Sequence, residues 1–228
     1  MLTSLCIITF FIGCGKVGDK GQNVVQQGET VKGNIFVNED ADRKNVENTV
    51  KTDYEYCILE DGSVKILKYM GNEAVVFIPE KLEGQTVSMI GKSAFQNNVQ
   101  MIQAVLPAGI VVIEELAFEG CSLLQCVFLN KEVKEIGYRA FGDCVSLEEI
   151  IFPEGMTDLK AGICEGCTNL EKIVLPRSLC YIDENAFWGC TELQLIYGES
   201  EFAEAYAKAE GKVYVDFGRI RDEGNQVW

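Results

Sequence analysis

The chain has 228 residues, of which 47% are hydrophobic and 10% aromatic, so it is long enough and apolar enough to bury a core. Its formal net charge of -15 opposes binding to nucleic acid phosphates and adsorption to anionic lipid surfaces. Histidine is absent, which excludes Ser-His-Asp and Cys-His catalytic arrangements and any zinc site that needs imidazole.

The N-terminus carries a short apolar segment, Leu5 to Gly13, that is shorter than the roughly 20 residues a transmembrane helix needs. An apolar segment of this kind ending in small residues is typical of an export signal. Its end, Phe11-Ile12-Gly13-Cys14, resembles the lipobox of bacterial lipoproteins, which implies cleavage before Cys14 and lipidation of that cysteine. Because no Lys or Arg precedes the segment, another export signal and a mis-assigned start are the alternatives. We predict a signal peptide and anchor over residues 1–14.

Residues 15–51 are mostly small, polar or charged and show no sustained hydrophobic period, so we predict a flexible tether. The acidic residues Asp40 and Asp42 are not expected to form a calcium loop, because Lys44 stands where an oxygen ligand is needed and no turn glycine follows.

Residues 52–90 contain the first β-prone elements. Tyr56–Leu59 and Val64–Leu67 flank the sequence Glu60-Asp61-Gly62-Ser63, and an Asp-Gly turn between such segments is typical of a hairpin. A third strand, Val75–Ile78, ends at a proline that cannot donate to a strand ladder. We predict that residues 52–90 form an N-terminal cap over the open end of the structure that follows.

A repeated pattern begins at Ile90. Ala-Phe pairs end at Phe95, Phe118 and Phe141, which are 23 residues apart, and a fourth pair ends at Phe187, twice that distance further on. The position between holds a weaker copy, residues 159–164. A fixed period of this length indicates a solenoid, because one repeat cannot bury enough apolar surface to fold alone and must stack on its neighbours.

Superposing the copies gives five apolar columns, which are expected to point inward. They are Met101, Leu124, Leu147, Leu170 and Leu193; Ala104, Val127, Ile150, Ile173 and Ile196; Leu106, Leu129, Phe152 and Leu175; Ile110, Val133, Met156 and Leu179; and Ile113, Ile136, Leu159 and Ile182. The alternation at Ile150 and Phe152, followed by a proline, marks a short strand.

The spacing Leu147-x-x-Ile150-x-Phe152-Pro153 resembles the leucine-rich repeat, and more narrowly the 23-residue version of the BspA-like family of bacterial surface proteins. The likeness covers roughly residues 52–215. It implies a repeat solenoid, a right-handed superhelix of mostly short parallel β-strands with irregular or short helical return segments. We place the repeats at 91–197 within a domain spanning 52–217.

Four of the ten cysteines, Cys121, Cys144, Cys167 and Cys190, occupy one repeat position. Equivalent side chains on stacked repeats point the same way and are awkward to bridge, so we predict buried, reduced thiols. Cys164 and Cys167 form a C-x-x-C sequence, which in isolation indicates a redox or metal site. Here Cys164 takes the position of the repeated phenylalanine, and the spacing follows from the repeat.

Outward strand positions are the candidate binding surface. One column holds Val105, Phe128, Ile151, Val174 and Tyr197, and its neighbour holds Gln103, Cys126, Glu149, Lys172 and Leu195. In leucine-rich repeat proteins the outward strand side recognises other proteins, and an apolar stripe marks such a site when it is contiguous. The alternatives are that these residues only suit strands, or that another segment covers them.

The C-terminal end predicts a short helix with Ser200 as its N-cap and Gly211 at its end, with Phe202, Ala205, Tyr206 and Ala209 on one face. Val213, Val215 and Phe217 alternate as a closing strand. We predict a helix-plus-strand cap over 198–217 and a polar tail over 218–228. A partner-binding amphipathic helix is the alternative.

These observations favour a non-enzymatic, surface-tethered repeat protein that mediates protein interaction or adhesion. Its expected partner is a host or other extracellular protein, and it is expected to be a monomer, to contact the membrane only through its anchor, and to need no cofactor or metal. Two alternatives are a structural spacer and an enzyme or redox protein using Cys164 or the acidic pair Glu148 and Glu149. Adjacent strand residues point to opposite faces, which argues against that pair acting together.

Overall fold

The structure is a computed structural model that describes residues 53–217. The predicted signal peptide, Cys14, the tether and the tail therefore lie outside the described residues. The strands are β1 (Tyr54–Ile58), β2 (Val64–Tyr69), β3 (Val75–Phe77), β4 (Lys81–Leu82), β5 (Gln85–Ile90), β6 (Gln103–Val105), β7 (Val112–Ile113), β8 (Cys126–Phe128), β9 (Glu135–Ile136), β10 (Glu149–Ile151), β11 (Asp158–Leu159), β12 (Lys172–Val174), β13 (Tyr181–Ile182), β14 (Leu195–Gly198) and β15 (Val213–Asp216). A single helix, α1 (Glu201–Ala209), lies between β14 and β15 in this part of the chain.

The strands that carry the repeat stack in parallel, and the residues that pair between neighbouring repeats are 23 positions apart in the sequence. One sheet has the order β3-β6-β8, and a second has the order β10-β12-β14-β15. Ala104 pairs with Val127, and Ile150 pairs with Ile173, which pairs with Ile196. Equivalent positions of successive repeats thus lie above one another along the solenoid axis, which confirms the predicted architecture.

The return side of each repeat carries a second parallel ladder, which the sequence reasoning did not predict. Its strands follow the orders β2-β5-β7-β9 and β11-β13, and most are two residues long. Most of each return segment consists of turns, which agrees with the expected irregular return segments, and the two-residue strands are an addition to that expectation. The signal was missed because two residues are too few to display a hydrophobic alternation.

Both ladders are interrupted at the same repeat. No strand pairing joins β8 to β10 or β9 to β11 in the described part of the chain. The turns stay connected, because the Phe141 amide donates to the Ile163 carbonyl at 2.9 Å and the Asp143 amide donates to the Glu165 carbonyl at 2.7 Å. The stack therefore passes through this repeat by its turns, together with a longer strand-side hydrogen bond from the Glu148 amide to the Gln125 carbonyl at 3.4 Å.

The core contains the five predicted columns, whose members are buried except for Leu129 and Ile182, which are partly exposed. The turns add a stack of phenylalanine rings. Phe95 and Phe118 have ring centroids 4.8 Å apart with planes 8° from parallel, and Phe118 and Phe141 are 5.3 Å apart at 12°. Cys164 occupies the next position and ends the stack, as superposition of the repeats predicted.

The turns return the chain through left-handed backbone conformations at fixed repeat positions. Ser93, Leu116, Arg139 and Gly162 have φ values of 57°, 60°, 50° and 64°. Gly120 has a φ of 71°, and a Cβ added there would collide with the Asn97 Oδ1 of the preceding repeat. The backbone conformation and the tight spacing of the turns therefore both favour glycine at this position.

The N-terminal segment extends both ladders. β1 and β2 form the predicted antiparallel hairpin, β2 then pairs in parallel with β5, and β3 pairs with β6 of the other sheet. Tyr69 lies 5.2 Å from Phe95 and 5.0 Å from Tyr54, measured between ring centroids, so two tyrosines continue the phenylalanine stack. These rings cover one end of the core.

At the other end, α1 packs against β14 and β15. The Ser200 hydroxyl caps the helix by accepting a hydrogen bond from the Ala203 amide at 3.2 Å, as predicted. The buried face contains Ala203 and Ala207, whereas Ala205 and Ala209 are exposed, so the predicted face was wrong by part of a turn. The helix lies close to β14, since a Cβ on Gly198 would be 2.8 Å from the Ala203 methyl group, and only small residues fit there.

Nowhere between residues 53 and 217 is a helix both long and apolar enough to cross a bilayer.

We predict that Phe118→Ala lowers the free energy of unfolding by about 3–5 kcal/mol, because it leaves a cavity between two stacked rings. Trp188→Ala removes an aromatic side chain that is 67% exposed and should change stability by no more than about 0.5 kcal/mol. Urea unfolding followed by circular dichroism measures both. Equal losses for the two variants would contradict a stabilising role for the ring stack.

Candidate functional site

The outward sides of the β3-β6-β8 and β10-β12-β14-β15 sheets, which we call the strand face, hold the residues predicted to bind. Val105 pairs with Phe128 on one sheet, and Ile151, Val174 and Tyr197 pair in sequence on the other. Ile151 is 52% exposed, and the other four are partly exposed. The structure thus brings the predicted apolar column together in two parts, on either side of the ladder interruption.

The second predicted column lies beside the first on the same strands. Gln103 pairs with Cys126, and Glu149 pairs with Lys172, which pairs with Leu195. The Lys172 Nζ lies 3.5 Å from the Glu149 Oε2, and both side chains are largely buried. Burial raises the pKa of Glu149, and the nearby Lys172 ammonium opposes this shift. This charge pair is therefore partly removed from water at the centre of the strand face.

The strand face extends beyond the ten predicted residues at both ends. Phe77 pairs with Val105, and Val215 pairs with Tyr197. The Phe217 ring stacks on the Tyr197 ring with centroids 5.2 Å apart. The β propensity of these segments was visible in the sequence, but their alignment with the repeat columns was not, because neither segment carries the full repeat pattern.

The cysteine column forms a hydrogen-bonded ladder between successive repeats. The Cys121 Sγ donates to the Phe95 carbonyl at 3.1 Å, Cys144 to Phe118 at 3.2 Å, and Cys167 to Phe141 at 3.0 Å. Cys190 donates to the Cys164 carbonyl at 3.0 Å. The buried, reduced thiols predicted from the sequence are confirmed. Each thiol donates to a turn carbonyl that also accepts a hydrogen bond from a backbone amide, so both lone pairs of that oxygen are used.

The C-x-x-C pair lies within this buried ladder. Cys164 and Cys167 are both inaccessible to solvent. Burial raises the pKa of the Cys164 thiol, and it raises the pKa of Cys190 to about 12. Because thiolates are the reactive form, the raised pKa of Cys164 and the complete burial of both side chains favour a structural role for this pair. Among residues 53–217, no three Cys, Asp or Glu side chains are grouped as metal ligands.

Residues 87–209, more than half of the chain, match the family model described as BspA type Leucine rich repeat region, in six copies. The solved structure of a leucine-rich repeat protein from T. pallidum is similar to this chain, with 30% sequence identity and a TM-score of 0.63. This similarity covers 65% of the chain and 70% of the T. pallidum protein. Both findings agree with the solenoid described above.

Two further solved structures are more distant. A leucine rich cell surface protein from Faecalibacterium prausnitzii shares 24% identity with a TM-score of 0.46, covering 66% of this chain and 54% of that protein. A leucine-rich repeat protein from Bacteroides capillosus shares 23% identity with a TM-score of 0.44, covering 57% and 94%. No curated protein matches the sequence of this chain.

We predict that native cysteines alkylate in the order of their exposure. At pH 8, iodoacetamide should label the exposed Cys180 well before Cys121, Cys144, Cys164, Cys167 or Cys190, which should react only after denaturant is added. Peptide mass spectrometry of the labelled full-length chain measures each site. Rapid native labelling of Cys164 would contradict the structural role and favour thiol chemistry at the C-x-x-C sequence.

Proposed function

The chain belongs to the BspA-type leucine-rich repeat family, and from this premise we propose that it is a non-enzymatic binding protein that recognises another protein through its strand face. The observation that carries the proposal is the in-register apolar column of Val105, Phe128, Ile151, Val174 and Tyr197. The repeat places one such side chain on each successive strand, which forms an extended surface instead of a pocket. An extended surface of this kind suits a protein partner better than a small molecule.

The composition of the strand face supports this proposal. Protein interfaces combine aromatic and aliphatic anchors at their centre with charged groups near them. Here Phe128, Ile151 and Tyr197 supply the apolar anchors, and the partly buried Glu149–Lys172 pair lies in the adjacent column. A partner that covers the strand face would bury the apolar anchor side chains. It would not need to supply a counter-charge there, because Glu149 and Lys172 already neutralise each other.

We further propose that the protein is exported and held at the cell surface by a lipid on Cys14. The support is the sequence of residues 1–14, an apolar segment that ends in a lipobox-like cysteine, followed by a polar segment that serves as a tether. In this arrangement the repeat domain stands away from the membrane, and its strand face meets proteins of a host or a neighbouring cell. Adhesion follows from that placement.

Ile151→Glu should weaken binding to an extracellular protein partner at least about tenfold, because it places a charge in the centre of the apolar column. The full-length chain, with Cys14 replaced by serine for solubility, is tested by biolayer interferometry against immobilised extracellular matrix proteins and purified bacterial surface proteins. Circular dichroism confirms that the variant is folded.

Leu123→Glu is the matched control. Leu123 is 47% exposed, close to the 52% of Ile151, but it lies in a turn outside the strand face. It should bind as the parent does. If Ile151→Glu also binds as the parent does, the strand face is not the recognition surface, and if the parent binds none of these proteins, the spacer hypothesis is favoured.

Cys14→Ser should move the protein from the membrane fraction to the soluble fraction, because attached acyl chains supply the membrane affinity. Detergent-phase partitioning and incorporation of radiolabelled palmitate measure the change, and Cys6→Ser, which alters the other cysteine of the predicted signal segment, should have no effect. Equal palmitate incorporation in the parent and Cys14→Ser would exclude lipidation at this residue.

A further inference from the structure

A cleft of about 230 Å³ opens in the turn region, away from the strand face. It is lined by Tyr138, Ala161, Gly162, Glu165, Asn185 and Trp188. Tyr138 is 47% exposed and Trp188 is 67% exposed, so two aromatic rings border one small opening. The described structure gives no ring contact between them.

The cleft exists because one repeat lacks the side chains that fill it in the others. At the position of Tyr138, successive repeats carry Lys92, Glu115, Tyr138, Ala161 and Glu184, and at the following position they carry Ser93, Leu116, Arg139, Gly162 and Asn185. The Ala161-Gly162 pair therefore leaves a gap between the repeats that carry Tyr138 and Trp188. Gly162 has a φ of 64°, and a Cβ there would lie 2.8 Å from both the Arg139 Cγ and the Glu165 Oε2, so the floor of the cleft favours glycine.

The groups beside the cleft have a net negative charge. The Arg139 guanidinium lies beside Gly162 and contacts three carboxylates: Glu119 at 2.8 Å, Asp143 at 2.6 Å, and Glu165, which lines the cleft. One positive and three negative charges leave a formal charge of -2. Lys160, the nearest lysine in sequence, pairs with Asp158 at 2.6 Å. Asp183 and Glu184, which precede Asn185, add further negative charge on the adjoining repeat.

We propose that this cleft binds the quaternary ammonium group of a small organic cation. Aromatic faces attract a cation within about 6 Å of the ring, and a weakly hydrated quaternary group enters such a site with little loss of solvation. The surrounding carboxylates supply long-range attraction. The gap left by Ala161 and Gly162 is large enough to admit a trimethylammonium group.

The arrangement favours a quaternary over a primary ammonium group. A primary ammonium needs three hydrogen-bond acceptors to replace its water, whereas a quaternary group needs none; of the acceptors in the cleft, the Glu165 Oε1 is paired with Arg139 and Asn185 offers one amide oxygen. An uncharged sugar could stack on the aromatic rings and donate hydroxyl hydrogen bonds to a carboxylate, but it would gain no charge–charge attraction from the carboxylates. The charge of the ligand is therefore the property that the test must vary.

Choline binding is measured by tryptophan fluorescence. The chain has two tryptophans, Trp188 and Trp228, so the full-length Trp228→Phe variant makes Trp188 the only reporter. Choline chloride should produce a saturable change with half-saturation on the order of millimolar, whereas sodium chloride at equal ionic strength should not. The uncharged isostere 3,3-dimethylbutan-1-ol should bind at least about fivefold more weakly.

Two variants test the location. Ala161→Tyr should lower choline affinity at least about fivefold, because it fills the cleft with the side chain that the preceding repeat carries at the same position. Tyr138→Ala should have a similar effect by removing one ring, and it keeps the test decisive if Ala161→Tyr does not fold. Tyr181→Ala removes an exposed aromatic side chain outside the cleft and should leave the affinity unchanged.

The proposal is overturned if choline gives no saturable response, or if the uncharged isostere or glucose binds as tightly as choline. It is also overturned if choline binding is unchanged in Tyr138→Ala. Tighter binding of N-acetyl-lysine methylamide than of choline would overturn the quaternary assignment and indicate that the cleft receives a lysine side chain of a protein partner.

Discussion

The structure depends on one constraint: each repeat is stable only when its neighbours cover it. A 23-residue unit cannot bury its own apolar side chains, and its short strands have no hydrogen-bond partners within the unit. Stacking supplies both, and it does so only when equivalent positions lie above one another. The observed register meets this requirement, since Ile150 pairs with Ile173 and Ile173 pairs with Ile196.

The same constraint explains the unusual cysteine column. Each turn places a carbonyl group inside the stack, at Phe95, Phe118, Phe141 and Cys164, and a thiol of the next repeat donates to it. A small, weakly polar side chain is needed at this position, since a larger one would separate the turns. The C-x-x-C sequence is thus a consequence of the repeat together with one substitution, Cys164, in the phenylalanine column.

The structure departs from a uniform solenoid where the sequence departs from the 23-residue repeat. The weakest copy, residues 159–164, lies where both strand ladders are interrupted and where the phenylalanine stack ends. It also provides Ala161 and Gly162, whose missing side chains open the aromatic cleft. The strand face and this cleft lie on different sides of the repeats, so recognition of a protein and binding of a small cation need not compete.

The sequence by itself determined the solenoid, the inward columns, the buried thiols and the hairpin and helix at the two ends, because these features repeat or carry local signals such as the Asp61-Gly62 turn and the Ser200 cap. It also placed the ten strand-face residues on adjacent strands. Only the tertiary structure decided the second ladder, because its two-residue strands are too short to show the alternation that identifies a strand. It also decided the helix face, where close approach to Gly198 selects Ala203 and Ala207 over Ala205 and Ala209. The cleft between Tyr138 and Trp188 also required the structure, since those residues are 50 positions apart and border one opening only because the solenoid brings their turns together.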